Sequence, residues 1–415
     1  MKTKSVSWTI RYTLLNVSYF AAFCTIHAYA AVFLLSHGFS NTEVGILLAV
    51  ANIMSSLAQP VVAGVIDKPN PITNKNYTLA SVIGILAGAV LLLAVNDNKP
   101  VIFAVFALIY MLQFTYMPVM TALCFEFQKA GCGIHYGLAR GLGSAGFAVT
   151  STLIGGVVEK RGVTVLLVVT IGAMVASAVV ILTFKKPSCE ISAGDEDKTA
   201  GELTEKKAHN DIREFVTLYP AFALFIVSST CFFFAHNMIN DFMIQIIREL
   251  GGAEKELGYA NFLQAILELP AMALIVPVLK KVSSRKLLLI SGCAFLIKIT
   301  LLIFAGNMAW MYVSQSFQLL AYAVFIPAAA YYVNETMEEL DQVKGQAFIT
   351  TSITIGGVFS NFISGKVIDA FGVRTALILG TLVCAVGVII AFVAMRLPAY
   401  RPWKVKKEDS DEARQ

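Results

Sequence analysis

The sequence predicts an all-α membrane protein in which twelve transmembrane helices form two pseudo-symmetric six-helix bundles. Three observations predict this fold class: the composition, the spacing of the apolar stretches and an internal repeat. Of the 415 residues, 57% are apolar and 14% are charged, and the mean hydropathy is +0.71. Soluble domains carry about 25% charged residues. Most of this chain therefore has no water-facing surface, and a cytosolic globular enzyme is excluded.

The apolar stretches are long enough to be membrane-spanning helices. A helix needs about 20 apolar residues to cross the hydrocarbon core, whereas a barrel strand needs only about 10. Stretches of the helical length lie at about 12–35, 44–66, 78–95, 101–125, 137–158, 163–184, 217–247, 258–279, 287–305, 309–333, 346–367 and 373–395.

One long polar segment divides these stretches into six plus six. The other connections are short, but residues 185–215 are polar and charged, which predicts a flexible linker. The domains predicted from this pattern are an N-terminal bundle at 1–184, a cytoplasmic linker at 185–215, a C-terminal bundle at 216–397 and a cytoplasmic tail at 398–415.

The distribution of Lys and Arg predicts that both termini are cytoplasmic. In that orientation most Lys and Arg residues fall in cytoplasmic loops, flanks and the linker, as the positive-inside rule requires. The net charge of +5 is explained by those loops, and no basic face of a soluble fold indicates nucleic-acid binding. The outer side keeps Lys99, Lys160, Arg161, Arg248, Lys255 and Arg374.

Residues of the first half recur in the second half at a nearly constant offset. Five matches occur in the same order along both halves. Such a duplication predicts two bundles related by an axis along the membrane normal, with a substrate site at the midplane between them. The matches are Gly45 to Gly258, Pro118 to Pro327, Glu126 to Glu335, Gly137 to Gly345, and the pair Glu159 and Gly162 to the pair Asp369 and Gly372.

Ionisable groups inside the spans are the first candidates for function. Each costs about 2.5–3.5 kcal/mol at mid-span depth, so such residues are rarely retained without a role. The candidates are His27, Arg140, His236, Asp241, Glu268 and Lys298. For His27, a direct role and that of a satisfied buried histidine remain equal alternatives.

The segment around His236 predicts a polar helix face. His236 pairs with Asn240, and Asn237 with Asp241, at a spacing of four residues. These four side chains therefore lie on one face of an otherwise apolar helix, which predicts that they line a wet cavity. Hydrogen bonding that only holds helices together is the alternative.

Glu268 and Lys298 need partners because an isolated charge in an apolar interior is expensive. We expect them to pair with each other, or Lys298 to pair with Asp241. Gln318 and Tyr322 add neutral hydrogen-bonding groups suited to a hydroxyl-rich ligand. Two GxxxG motifs, at 84–88 and 137–141, are typical of close helix packing.

No ATP-binding loop, metal motif or catalytic motif occurs. We therefore expect no cofactor, no metal and no enzymatic activity. A transporter of this kind would use an ion gradient or facilitate diffusion.

Two loop sequences resemble the major facilitator superfamily. GVIDK follows span two and carries Gly64, Asp67 and Lys68; its counterpart GKVIDAFGVR follows span eleven and carries Asp369, Gly372 and Arg374. The resemblance implies that these six residues form the conformational loop motif of the superfamily.

Three further stretches resemble the oligosaccharide:proton symporters, the lactose permease group: TEVGILLAVANIMSSLAQP at 42–60, YGLARGLGSAGFA at 136–148 and LLLISGCAFLIK at 287–298. The resemblance implies that Arg140 binds sugar, that Phe147 stacks on a sugar ring, and that Glu268 and Lys298 belong to the proton-coupling network.

The chain departs from that group on two spans. Ala122 or Thr121 stands where the group has its sugar-binding glutamate, and Tyr322 and Phe325 stand where it has a histidine and a proton-carrying glutamate. If coupling persists, Glu268 or Asp241 must carry the proton.

The predicted function is proton-coupled import of a sugar or oligosaccharide by alternating access. The expected partners are a small polar substrate, protons and the lipid bilayer, with a monomer in the plasma membrane. A proton-driven efflux antiporter for sugars or drugs is the nearest alternative, and a non-transporting membrane sensor is a third. The predicted substrate-binding residues are Arg140, Phe147, His27, His236, Asn237, Asn240, Gln318 and Tyr322, and the predicted coupling residues are Glu268, Lys298 and Asp241.

Overall fold

The computed structural model describes residues 2–66, 72–95, 98–185 and 212–400, and the regular elements in these ranges are helical. The first half contains α1 (Lys2–Phe23), a π-helical segment (Cys24–Ala28), α2 (Ala30–Ser36), α3 (Asn41–Ile66), α4 (Asn74–Ala94), α5 (Lys99–Lys129), α6 (Tyr136–Arg161) and α7 (Thr164–Leu182).

The second half contains α8 (Ile212–Leu218), α9 (Pro220–Asp241), α10 (Met243–Glu249), α11 (Glu254–Leu279), α12 (Ser284–Ile303), α13 (Met308–Ser316), a 3₁₀ turn (Phe317–Leu319), α14 (Tyr322–Thr336), α15 (Glu339–Phe371) and α16 (Val373–Ala394). Each predicted apolar stretch coincides with one helix or with helices joined end to end.

Polar residues between the apolar stretches start several helices. The Thr73 side chain accepts a hydrogen bond from the Asn76 amide and caps α4. Asn98 caps α5 in the same way, and Asn307 caps α13. A capping side chain satisfies an amide that has no partner within the helix, so these residues fix where the long helices begin.

The all-helical membrane fold is confirmed, but the count of twelve spans is not. By length and apolarity, ten helices in the described ranges could each cross a membrane, and a bent pair around Ala28 and Ala30 makes an eleventh. The remaining predicted stretch is α11, a 26-residue helix whose first turn is charged, with Glu254 and Glu256.

The two halves pack in the same way. In the first half α1 packs on α6 and α7; in the second half α9 packs on the corresponding helices, α15 and α16. Two extensive helix–helix contacts join the halves in the described residues. α3 packs on α15, which we call the first seam, and α6 packs on α11, which we call the second seam. The repeat relates α3 to α11 and α6 to α15, so the two seams are pseudo-symmetric.

The first long helix of each half is interrupted at equivalent positions. In the first half the π-helical segment ends at Tyr29, and the chain bends by 51° there. In the second half α9 ends and α10 begins at Phe242. Tyr29 and Phe242 are as far apart in the sequence as Gly45 and Gly258, so the two interruptions are equivalent in the repeat. The apolar stretches predicted continuous spans at both places, because neither interruption changes the apolar pattern of the sequence.

The repeat is also visible in the backbone of Gly162 and Gly372. These residues end α6 and α15 with φ of 81° and 83° and ψ of 174° and 167°. A side chain is strongly disfavoured in this conformation. The recurrence of glycine at both positions therefore has a structural cause.

Several predicted features lie partly or wholly outside the described residues. These are Asp67 and Lys68, residues 401–415 of the tail, and most of the linker. The described part of the linker differs from the prediction, because α8 already begins at Ile212.

The two GxxxG motifs behave differently. A Cβ added at Gly84 or Gly88 would contact Leu112 or Ile109 on α5, which confirms the predicted close packing. For Gly137 and Gly141 that prediction is wrong. Their surroundings within 4 Å are open, because they lie on a face of α6 that is turned away from the neighbouring helices, whereas Ala139 on the opposite face is buried.

Candidate functional site

Both halves approach each other closely at one end of the molecule. This closed end is formed by the starts of α3 and α11 and by the ends of α6 and α15. At the first seam, a Cβ added at Gly45 would overlap the Asn361 carbonyl oxygen. A Cβ added at Gly365 would overlap the Asn41 carbonyl oxygen. Only glycine permits such backbone contact.

The second seam repeats this arrangement with the equivalent helices. A Cβ added at Gly155 would overlap the Glu254 carbonyl oxygen, and one added at Gly258 would overlap the Ser151 carbonyl oxygen. The Tyr29 hydroxyl lies beside both glycines and donates a hydrogen bond to Ser151 O at 3.0 Å. Gly45 and Gly258, matched by the sequence repeat, therefore occupy equivalent seam positions.

A carboxylate fastens the first seam. Asp369, at the end of α15, accepts hydrogen bonds from the Asn41 amide at 3.1 Å, from Asn41 Nδ2 at 2.8 Å and from the Thr42 amide at 2.7 Å. Gln245 Nε2 adds a fourth bond to Asn41 Oδ1 at 2.8 Å. Because the first amides of a helix lack partners and carry partial positive charge, an anion is favourable there.

A cavity of about 300 Å³ lies between the halves. Its size is at the lower end of the range for small-molecule sites. The lining residues come from both bundles: Phe23, His27, Ala28, Asn52, Tyr110, Phe114, Phe147, Asn237, Asn240, Asp241, Asn261, Gln264, Ile353, Thr354 and Gly357.

The first half supplies an aromatic wall. The His27 ring stacks on Phe23, with centroids 4.0 Å apart and an interplanar angle of 17°. Tyr110 and Phe114 lie against the same imidazole at 4.0 and 4.8 Å. Both His27 nitrogens are buried and have no hydrogen-bond partner among the described residues. Phe147 completes this wall, 6.4 Å from Phe23.

The second half supplies a polar wall from α9 and α11. Asn237, Asn240 and Asp241 reach the cavity. Gln264 donates to Asn240 Oδ1 at 3.3 Å and to Gln315 Oε1 at 2.6 Å, so amides from three helices are linked.

His236 lies behind this wall rather than in the cavity lining. It is 4% exposed and stacks on Tyr322 with centroids 5.0 Å apart. Asn240 Nδ2 lies 2.9 Å from its Nε2, as the four-residue spacing predicted. Nε2 is therefore the acceptor and Nδ1 carries the proton, and Nδ1 is buried without a partner among the described residues.

Glu268 and Lys298 are joined through an amide. Lys298 is 0% exposed and donates from Nζ to Gln318 Oε1 at 2.7 Å, and Gln318 Nε2 donates to Glu268 Oε1 at 3.0 Å. The predicted direct ion pair is therefore not formed. An intervening amide can hydrogen-bond both charges, so it replaces the salt bridge.

Arg140 belongs to the opposite half but lies near this group. Its Nη1 donates to Ser144 Oγ at 2.9 Å, and its guanidinium lies 4.3 Å from the centroid of Phe20. Arg140 is close enough to Glu268 and Tyr322 to interact with them electrostatically. Arg140 therefore lies within electrostatic range of the group on the opposite half. None of the five residues is among the cavity-lining residues, which holds for Arg140, Glu268, Lys298, Gln318 and Tyr322.

The remaining predicted residues lie elsewhere. Gly64, near the end of α3, has open surroundings. Gly372 ends α15. Arg374 lines a separate cavity of about 310 Å³ with Glu249. In the described ranges, no group of three or more His, Cys, Asp and Glu side chains could hold a metal ion.

Much of the cavity lining consists of residues that are not ionisable and that the sequence did not single out. Tyr110, Asn261, Gln264 and Thr354 line it without having been singled out. Asn261 and Gln264 lie three residues apart on α11, seven and four residues before Glu268, which is a helical spacing. A search for amides at helical spacing would have found them.

A protein-family model and a curated relative both match most of this chain. The model of the MFS_1 like family matches residues 9–379. A curated relative, the uncharacterized transporter YwbF of Bacillus subtilis (strain 168), is 22% identical over 332 residues, which cover 80% of this chain and 79% of the relative.

Solved transporter structures have the same fold. A mutant of the nucleoside transporter NupG matches with a TM-score of 0.78 and 14% identity, covering 94% of this chain and all of that one. A bacterial homolog of the human lysosomal transporter Spinster, in an inward-facing and unoccupied conformation, gives 0.71 and 13%, over 97% and 100% of the two chains. An auto-inhibited peptide transporter of the POT family gives 0.72 and 10%, over 96% and 99%.

Proposed function

Because this chain belongs to the MFS_1 like family and is a transporter of the major facilitator type, we propose that it imports a small polar solute, a sugar, together with protons. The observation that carries the proposal is the cavity of about 300 Å³ that both halves line between the two seams. Folds made of two related bundles place their substrate there.

The conformation supports alternating access. We propose that both termini are cytoplasmic, as the Lys and Arg distribution predicts. The closed end then faces the outside, and the open surroundings of Gly64, Gly137 and Gly141 lie on the cytoplasmic side. The structure would then correspond to a state that releases solute inward. Separation of the closed end and approach of the opposite end would produce the other state.

The lining of the cavity suits a ring with polar groups on its edge. The aromatic wall of Phe23, His27 and Phe147 offers flat faces on which a sugar ring can pack. The amides of Asn237 and Asn240 offer donors and acceptors to its hydroxyls. The volume favours a solute of about one or two rings over a longer oligosaccharide. Arg140 would contact the solute when the halves approach at the cytoplasmic end.

A nucleoside is a second candidate substrate. The His27 ring stacks on Phe23 with centroids 4.0 Å apart, which supports a wall with planar faces on which a nucleobase can stack, and one structure of the same fold is a nucleoside transporter. In this case the base would stack on the aromatic wall, and the amides would hold the ribose.

Proton coupling is proposed for Glu268, Gln318 and Lys298. Arg140 attracts the Glu268 carboxylate across the two halves. Protonation of Glu268 removes this attraction and breaks the balance of charge with Lys298. The proton on Glu268 therefore changes the force between the bundles, which is what coupling requires. Asp241 is the alternative carrier of the proton.

The test is uptake of labelled sugars and nucleosides into proteoliposomes, with and without an imposed pH gradient. We expect gradient-driven accumulation of one solute class. In Glu268→Gln, accumulation is lost while exchange of solute across the membrane is retained. Glu159→Gln is the control, because Glu159 is an exposed carboxylate on α6. Equal accumulation by Glu268→Gln and the parent protein would remove Glu268 from the coupling role.

The same experiment separates the alternatives. If the substrate is a sugar, Arg140→Ala should abolish uptake, and added apolar compounds should have little effect on transport. If the protein is a drug antiporter, Arg140→Ala should have little effect, and apolar compounds should inhibit transport. An efflux antiporter would expel preloaded solute when protons enter. If no solute moves under either gradient, import and efflux are both refuted and the sensor remains.

A further inference from the structure

One wall of the cavity carries a carboxyl group that the transport of a neutral sugar does not explain. Asp241 is the only Asp, Glu, Lys or Arg among the described residues that line the cavity. In the described part of the chain, Asp241 takes part in no ion pair. A buried anion without a countercharge is expensive unless a cation joins it.

The charge belongs to one half alone. The position equivalent to Asp241 in the repeat, at the offset that relates Gly45 to Gly258, is Ala28, and both residues line the cavity. The two helix interruptions therefore match in position, but only the one in the second half carries a carboxyl group. Packing of the interruption does not require it, because Ala28 forms the other one.

Neutral polar side chains lie near the Asp241 carboxyl group. The Asn361 side chain lies within hydrogen-bonding reach of Asp241 and is 0% exposed, and its Oδ1 and Nδ2 have no other hydrogen-bond partner among the described residues. The Tyr110 phenol is close to Asp241 and donates to Asn52 Oδ1 at 3.3 Å. Carboxylate, amide and phenol oxygens are hard ligands of the kind that hard cations prefer.

The backbone adds to the negative potential. α9, a helix of 22 residues, ends at Asp241. The last carbonyls of a helix carry partial negative charge. Interrupted helices in transporters bring such ends to their ion sites. The end of α9 therefore favours a positive ion at the same place as the Asp241 side chain.

We propose that Asp241, with Asn361, Asn52 and the end of α9, binds a compact monovalent cation, either Na⁺ or the ammonium group of a substrate. The proposal rests on the proposed function only in that the site shares the substrate cavity. Cation binding is measured without transport, so its failure is distinguishable from a failure of proton-coupled uptake. Lys298 does not provide the missing charge, because its ammonium group is held by Gln318.

The experiment measures the thermal unfolding midpoint, Tm, of the purified full-length protein in detergent. Choline chloride is replaced stepwise by NaCl at constant ionic strength, and in a parallel series by methylammonium chloride. A ligand at 100 times its Kd should raise Tm by about 3 °C for a chain of this length, and above Kd the rise should follow the logarithm of the ligand concentration. A rise with NaCl identifies an ion site, and a rise with methylammonium alone identifies the ammonium group of a substrate.

Three variants assign the effect. Asp241→Asn should lose the rise and unfold in choline at a Tm equal to or above that of the parent, because an uncompensated buried charge has been removed. This second value shows that the variant is folded. Asp241→Glu should retain a weaker rise, and Glu159→Gln should behave as the parent. Absence of a concentration-dependent rise in the parent with either salt, or an unchanged rise in Asp241→Asn, overturns the proposal.

Discussion

Replacement of Asp369 by Asn should loosen the closed end. The carboxylate accepts three hydrogen bonds of 2.7–3.1 Å from the start of α3. Asn has nearly the same shape, but it has no charge, and its NH₂ group cannot accept a hydrogen bond from a backbone amide. The change therefore removes the charge and at least one hydrogen bond while it leaves the packing of Gly365 against α3 in place.

The magnitude follows from these contacts. A hydrogen bond to a charged group contributes about 1.5–3 kcal/mol, against about 1 kcal/mol for a neutral one. Asp369 is exposed, so solvent screening reduces the difference. We expect the closed end to lose about 1–2 kcal/mol relative to the open end, which changes the ratio of the two states about 5- to 30-fold.

Hydrogen–deuterium exchange read by mass spectrometry measures this change. Peptides that cover the start of α3 and the start of α11 should both exchange faster in Asp369→Asn by that factor, because separation of the halves exposes both. Glu159→Gln is the matched control: it removes the equivalent carboxylate of the repeat, and in the described residues Glu159 makes no hydrogen bond or ion pair.

The comparison of the two peptides decides the outcome. Faster exchange at α3 alone would show that Asp369 caps a helix and does not control the closed end. Unchanged exchange at both sites would refute the reasoning altogether.

Two further predictions concern the second seam and the buried charges. Gly155→Val should prevent closure of that end, because the valine side chain would meet the Glu254 carbonyl oxygen. Solute uptake should be lost, and the amide hydrogens of α11 should exchange faster. Gly156→Val, at a position with open surroundings on the same helix, should be close to the parent in both measurements. Gln318→Leu should lower the stability by about 2–4 kcal/mol, because Lys298 is left buried without a partner; a Tm within 1 °C of the parent in a thermal unfolding assay would contradict this.

The fold could be predicted from the sequence, because each membrane-spanning stretch can be recognised independently of the others. Twenty consecutive apolar residues define a span whatever its neighbours are, and each predicted stretch is helical in the described residues. The repeat was equally informative. It paired Gly45 with Gly258 and Gly162 with Gly372, and each pair occupies equivalent places. Such glycines are retained where a Cβ has no room or where φ is positive.

The details of the cavity were less predictable for two physical reasons. The direction in which a side chain points depends on the packing of its helix, so His236 could not be distinguished from Asn240 by spacing alone. Asn and Gln also cost much less than a full charge inside a membrane, so Asn261 and Gln264 hardly alter the apolar pattern. The bridge of Gln318 between Glu268 and Lys298 joins three separate elements, and no local pattern records such a contact.

The two seams differ in the number of hydrogen bonds that cross them, and this difference determines which seam opens first. Four hydrogen bonds cross the first seam at Asn41 and Thr42, whereas in the described part of the chain none crosses the second. We therefore expect the closed end to part first along α6 and α11, with the α3 edge serving as the pivot. An arriving molecule would enter on that side, past the hydroxyl of Tyr29, and would reach the aromatic face before the polar one.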